Sequence, residues 1–269
     1  MSDRPALIYV YDGSFEGLLC CVYESIRCKE VPTEIVSADG TMQLSMFGSK
    51  TVETNSEIAV KIYDSIKEKI SPLAADEVKI CYLSDTKGKE LFILRFLLKG
   101  YHFGRSVLSR HADPDVMGVL NATRQVRNEA HHITGFLRFS TTEDGMLAVI
   151  EPRSQVLSLI SGHFIDRFPE ENFLIHDKSH KQALLYRNGC ASVIDADCVL
   201  ENETSSEEML YRNLFDLFHK TIAIKERVNL KRQMSFMPKR YWSHMPEMSG
   251  KAGGVLSAGE GAEQSLMVI

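Results

Sequence analysis

One stretch of the chain, Arg127–Phe139, constrains the fold more than any other because the hydrophobic period changes within it. Before Gly135, apolar residues recur every three or four positions, which is the period of an α-helix. Over residues 136–139 the pattern alternates, with Leu137 and Phe139 on one side, which is the period of a β-strand. We therefore expect a core-facing helix that ends at Gly135 and a strand that follows it directly.

The segments after this strand predict an antiparallel sheet. Residues 146–151 are expected to return alongside residues 136–139 as a hairpin. Pro152 is expected to begin a helix that ends before Pro169. Residues 172–176 and 182–186 predict a second pair of strands. The fold class is thus α+β, with an antiparallel sheet of two hairpins and an intervening helix.

The rest of the chain predicts three further parts. Residues 6–37 have the pattern of a strand–helix–strand unit, and residues 55–103 that of a helical middle. A capping box at Ser205 predicts a long C-terminal helix. We expect an N-terminal α/β and helical part over residues 1–98, an α+β core over 99–248, and a disordered tail over 249–269, which is rich in glycine and poor in apolar residues.

Cations border the apolar stripe of the central helix. At about 100° per residue, Arg124, Arg127 and His131 fall along one border of the stripe, and Glu129 falls on the far side. One interpretation is that the arginine stems cover the core and their heads stay in water. The other is that this border binds anions, because guanidiniums match the forked geometry of phosphate. The sequence leaves both open.

The next predicted helix repeats this arrangement, with His163 and Arg167 four residues apart at the edge of its apolar side. Arg138 stands at the start of the strand after the central helix. We predict that these three residues converge with Arg127 and His131 on one phosphate-binding pocket. Alternatively, each His–Arg pair borders the core separately and contacts a local carboxylate. If the pocket exists, changing Arg127 to Ala should weaken DNA binding and leave stability nearly intact.

A basic segment near the C-terminus ends in aromatic residues. Between Arg212 and Trp242, eight lysines and arginines stand against two carboxylates. The segment closes with Lys239, Arg240, Tyr241 and Trp242, a composition suited to phosphate contact and base stacking. Equally, the two rings could seat the C-terminal segment on the core.

Composition excludes several classes of protein. A net charge of −5 gives no case for non-specific polyanion binding by the whole chain. The six cysteines form no C-x-x-C and no finger spacing with histidine, so neither a metal nor another cofactor is expected. There is no apolar signal region and no run of apolar residues long enough to span a membrane. We expect a cytoplasmic protein with reduced thiols.

An ordered series of motifs carries a family resemblance over roughly residues 6–247. They are Tyr11-Asp-Gly-Ser-Phe-Glu-Gly17, Arg127-Asn-Glu-Ala-His131, Gly135-Phe-Leu-Arg-Phe139, Ile150-Glu-Pro152, His163-Phe164, Arg167-Phe-Pro169, Ile175-His-Asp177, Arg240-Tyr-Trp242 and Pro246-Glu247. With them the chain resembles an uncharacterised bacterial family assigned to DNA metabolism or DNA repair. Members are typically encoded beside a radical S-adenosylmethionine protein, and in some genomes the domain is fused to one like uracil-DNA glycosylase. The resemblance implies DNA and that radical enzyme as partners, but no reaction.

Three functions remain in view. The first is a nucleic-acid-binding accessory of the radical enzyme. The second is an enzyme that acts on damaged DNA or nucleotides, with His131, His163, Glu129 or Asp177 as acid–base groups. The third is an adaptor that holds the partner enzyme and touches no DNA. Salt-dependent DNA binding and turnover of a damaged oligonucleotide would distinguish them.

Overall fold

The computed structural model describes residues 7–38, 48–142, 145–197, 214, 234 and 237–245. The chain divides into two compact units. Unit 1 comprises residues up to His131 together with Pro152–Ile160, and unit 2 comprises His132–Glu151 and the residues from Ser161 onward. Each unit has its own sheet, and the α+β class expected from the sequence is confirmed.

Unit 1 contains a three-stranded parallel sheet. Its strands are β1 (Leu7–Tyr11), β2 (Glu34–Ser37) and β3 (Gly48–Thr51), in the order β2-β1-β3. Helix α1 (Phe15–Cys28) connects β1 to β2, so the predicted strand–helix–strand unit is confirmed. Strand β3, Gly-Ser-Lys-Thr, was not predicted, because it is short and three of its four residues are exposed, so it carries no apolar pattern.

The turn after β1 is held together by Asp12. Its Oδ1 accepts the backbone N–H and the hydroxyl of Ser14 at 2.9 and 2.7 Å, and its Oδ2 accepts the hydroxyl of Thr54 at 2.7 Å. The hydroxyl bond from Ser14 is the largest cause that lowers the pKa of Asp12. Ser14 in turn caps α1 by accepting the N–H of Gly17 at 2.9 Å. The turn is therefore closed by side chains of Asp12 and Ser14 and by the hydroxyl of Thr54.

Three helices and a short 3-10 turn follow β3. They are α2 (Ser56–Lys69), α3 (Pro72–Tyr82), α4 (Lys89–Phe103) and the turn Gly104–Ser109. Helix α3 begins directly after Ser71. Ser71 caps it by accepting the N–H of Ala74, and Pro72 is tolerated in the first turn, where no intrahelical N–H bond is required.

Helix α5 (Pro114–Phe136) runs through Gly135 instead of ending there. The prediction of a strand over residues 136–139 is therefore wrong. The N–H of Leu137 still bonds to the carbonyl of Ile133 at 2.9 Å, so the helical pattern outlasts the glycine. The hairpin begins at Ser140 instead, where β4 (Ser140–Thr142) pairs antiparallel with β5 (Gly145–Ile150).

Unit 2 contains a five-stranded mixed sheet in the order β4-β5-β6-β7-β8. The last three strands are β6 (Phe173–Asp177), β7 (Gln182–Arg187) and β8 (Cys190–Asp195). Two antiparallel hairpins, β4–β5 and β6–β7, with a helix between them are confirmed. Strands β5 and β6 pair in parallel, so the sheet that joins the hairpins is mixed rather than antiparallel. Helix α6 (Leu157–Arg167) lies between them along the chain, and a crossover of that length lets the second strand run in the same direction as the first.

An aromatic cluster forms part of the core of unit 2. The ring of Phe139 meets the rings of Phe164, Phe168 and Phe173 edge-on, with centroid distances of 5.5, 5.5 and 5.7 Å. Such geometry favours aromatic pairs beyond their buried area. Phe139 is thus an inward-facing residue, as its alternation suggested, although it precedes the strand.

Two expectations lie outside the described residues, namely the helix beginning near Ser205 and the tail over residues 249–269. Within the described ranges, no helix is both long and apolar enough to cross a membrane.

Candidate nucleic-acid interface

Helix α5 displays a row of exposed basic side chains in unit 1. Arg124, Arg127 and His131 are all exposed, whereas Val126 and Ala130 between them are buried. The period of the helix produces this separation, because residues three, four and seven apart share a face. We call these three residues the α5 basic row. The sequence predicted that these residues lie at the border of the apolar stripe, and their exposure agrees with that position.

Arg127 is anchored by a buried carboxylate on α3. Its Nη1 donates to Glu77 Oε1 at 2.8 Å, and the side chain of Arg127 is 46% exposed while that of Glu77 is 7% exposed. Glu77 Oε2 is buried and makes no hydrogen bond to any residue that the structure describes. The hydroxyl of Thr123 also donates to the backbone carbonyl of Glu77. These two hydrogen bonds connect helix α5 to helix α3 near the start of the basic row.

Sequence reasoning missed Glu77, although a signal was present. Glu77 lies three residues after Ala74 and four before Cys81, which are both buried on the same face of α3. A carboxylate on an apolar face requires a partner, because burying an unpaired charge is costly. The identity of that partner, 50 residues away in Arg127, could not be read from local spacing.

Glu129 has a structural role in unit 1. It is 4% exposed, and its two carboxylate oxygens accept the backbone N–H groups of Arg153 and Ser154 at 3.0 and 2.9 Å. These bonds hold the loop that follows Pro152, which explains why α6 starts only at Leu157. Both oxygens are engaged with backbone, so the geometry offers little support for Glu129 as an acid–base group.

Asp177 is similarly occupied in unit 2. It is 1% exposed, its Oδ1 accepts the N–H groups of Ser179 and His180, and its Oδ2 lies 2.7 Å from His180 Nδ1. The carboxylate organises the β6–β7 turn, as aspartates at turns commonly do. The imidazole in contact with Asp177 Oδ2 is that of His180.

The basic residues of unit 2 have separate surroundings. His163 and Arg167 are exposed on α6, and the guanidinium of Arg167 lies 5.6 Å from the ring centre of Phe168. Arg138 Nη1 donates to the carbonyls of Gly135 and Leu137 at 3.3 and 3.2 Å. It thereby satisfies carbonyls at the C-terminal end of α5, where a cation is favoured.

The five residues of the predicted common pocket do not all belong to the same unit. Arg127 and His131 belong to unit 1, whereas Arg138, His163 and Arg167 belong to unit 2. Their convergence stays a prediction.

The C-terminal aromatic residues are buried in unit 2. Tyr241 is 7% and Trp242 4% exposed, and Trp242 Nε1 donates to the carbonyl of Met237 at 3.0 Å. The ring of Tyr241 lies about 6 Å from those of His132 and Phe136. This packing favours the interpretation that the two rings seat the segment on the core. Of the same segment, Lys239 is exposed, and Arg240 Nη2 donates to the hydroxyl of Tyr241.

A small apolar pocket lies beside Tyr241 in unit 2. It is lined by Ile133, Phe136, Leu137, Val149, Ile150, Glu151 and Tyr241.

Among the residues that the structure describes, no group of three or more histidines, cysteines or carboxylates is arranged to hold a metal ion.

The chain belongs to the family described as a domain of unknown function, DUF4130, whose model matches residues 87–247. The matched region includes the whole α5 basic row and begins after Glu77. Neither the curated proteins nor the solved structures contain a match to the chain.

Proposed function

We propose that this protein is a nucleic-acid-binding accessory in DNA metabolism or repair, and that it works beside a radical S-adenosylmethionine enzyme. The observation that carries the DNA-binding part is the α5 basic row, which presents two guanidiniums and an imidazole on one exposed helix border. Contacts of this kind bind the phosphate backbone without reading sequence. The partner enzyme and the link to repair rest on the family resemblance.

The accessory role is favoured over an enzyme because the candidate carboxylates are already engaged. Both oxygens of Glu129 accept backbone N–H groups. Asp177 accepts two backbone N–H groups with Oδ1 and contacts His180 Nδ1 with Oδ2. A general base must instead be within reach of the proton that it removes. His131 and His163 are exposed and remain the groups that an enzymatic alternative would use.

Binding of a short DNA duplex and of a single strand, followed by fluorescence anisotropy over a range of salt concentrations, tests the proposal. We expect affinity to fall with salt, and Arg124→Ala to make the slope of log K against log salt shallower by about one. The matched control is Lys61→Ala, which removes an exposed cation from α2. An equal effect of both substitutions would reject the α5 basic row as the interface.

The same preparation distinguishes the other two functions. Turnover of a lesion-bearing oligonucleotide that is lost in His131→Ala would establish the enzyme instead. Absence of any salt-dependent DNA binding, with retention of the radical enzyme in co-purification, would establish the adaptor.

A further inference from the structure

Glu77 and Arg127 form a pair whose two members differ sharply in exposure. The side chain of Glu77 is almost fully buried, and the side chain of Arg127 is 46% exposed. Only Nη1 of Arg127 is used by Glu77, and neither Nε nor Nη2 bonds to another described residue. The remaining donors of the fork are therefore available to a phosphate while the contact to Glu77 persists.

We propose that Glu77 is a positioning residue of the nucleic-acid interface: it holds the Arg127 guanidinium in place for a phosphodiester oxygen. This inference rests on the proposed function. A long arginine side chain loses rotamer freedom when it binds, and a fixed partner reduces that loss. A buried anchor suits this task because the cost of leaving its charge uncompensated keeps Arg127 on it.

If Glu77 acted only through its charge, it would weaken DNA binding rather than support it. A negative carboxylate 2.8 Å from the guanidinium opposes the approach of DNA, so its removal should tighten binding. If Glu77 positions Arg127, removal of the acceptor should weaken binding. The sign of the change therefore separates the two roles.

Two neutral variants of the full chain make this test sharp. Glu77→Gln removes the charge and keeps an oxygen that can accept from Nη1, whereas Glu77→Met removes both at similar volume. We expect the Glu77→Met protein to bind short DNA with an affinity roughly threefold to tenfold lower than that of the Glu77→Gln protein. This is the scale of one lost charge-assisted contact. In an Arg127→Ala background the two variants should bind equally.

The matched control is Asp76→Asn, which removes an exposed carboxylate from the neighbouring position of α3. It should tighten binding slightly through charge alone. Thermal unfolding of each variant, with binding measured well below the transition, confirms that folded protein is compared.

Equal affinity of the Glu77→Gln and Glu77→Met variants in a chain that retains Arg127 overturns the inference and leaves the proposed function standing. A difference that persists without Arg127 overturns it as well. If the wild-type chain binds neither duplex nor single strand in a salt-dependent manner, the proposed function fails and the inference fails with it.

Discussion

Arg127 on α5 and Glu77 on α3 form an ion pair at 2.8 Å in which the carboxylate has lost nearly all contact with water. The pair changes what a substitution at Arg127 does. From sequence, Arg127→Ala was expected to leave stability nearly intact. The structure corrects this, because the substitution would leave a buried charge without its partner.

We therefore expect Arg127→Ala to lower the free energy of unfolding by about 1–3 kcal/mol, less than for a fully buried pair because Arg127 is half exposed. Urea denaturation measures the change. Arg124→Ala, on the same exposed border, should stay within about 0.5 kcal/mol of wild type. Adding Glu77→Met to Arg127→Ala should restore part of the loss, and a further loss would contradict this account.

Glu129→Ala should destabilise the protein whether or not the protein is an enzyme. The substitution leaves the N–H groups of Arg153 and Ser154 without their acceptors, at a cost of about 2–4 kcal/mol. Glu68→Ala, which removes an exposed carboxylate from α2, is the control and should have little effect. Unchanged stability of Glu129→Ala would show that the loop after Pro152 does not depend on this carboxylate.

Two helical glycines should respond oppositely to alanine. A Cβ at Gly17 would lie 2.3 Å from Asp12 Oδ1 and 2.7 Å from Thr54 Oγ1, so Gly17→Ala should disrupt the turn after β1 and cost about 1–3 kcal/mol. A Cβ at Gly162 on α6 meets no atom of the described part of the chain within 4 Å. Gly162→Ala should therefore stabilise by about 0.5–1 kcal/mol, because alanine is the better helix former. Thermal melts of both variants decide the point.

Four of the five described cysteines should divide into two classes on alkylation at pH 8. Burial raises the pKa of Cys21 and of Cys81 to about 12, so both stay as neutral thiols, which are poor nucleophiles. Cys28 and Cys190 are exposed. Mass spectrometry after brief iodoacetamide treatment should find the exposed pair modified first in native protein, and all four modified in urea. Rapid native labelling of Cys81 would show that the core of unit 1 opens readily.

Local pattern predicted most elements but not the relations between them. Apolar periods located α1, α2 and α4, since each of these helices buries one face. Strand β3 was missed because its pairing with β1, rather than its own composition, makes it a strand. The parallel direction of β6 against β5 likewise depends on the crossover through α6, which the sequence of either strand does not encode.

For the candidate interface, too, the sequence predicted positions along one helix but not contacts with distant residues. Helical spacing was sufficient to place Arg124, Arg127 and His131 on one border. It could not show that Glu77 holds one of them, or that Glu129 is occupied by a loop 24 residues further along the chain. Tyr241 and Trp242 illustrate the converse, because composition permitted both stacking on bases and packing on protein, and only tertiary structure buries them.

Unit 1 is discontinuous in sequence, because it includes Pro152–Ile160 as well as the residues up to His131. During synthesis, a ribosome that has released only the first 131 residues has therefore delivered an incomplete unit, in which the backbone partners of Glu129 are still missing. Those partners emerge only after the β4–β5 hairpin of unit 2 has left the ribosome. Neither unit can then be obtained by a single cut, and a nascent chain should resist protease only once residue 160 has cleared the exit tunnel.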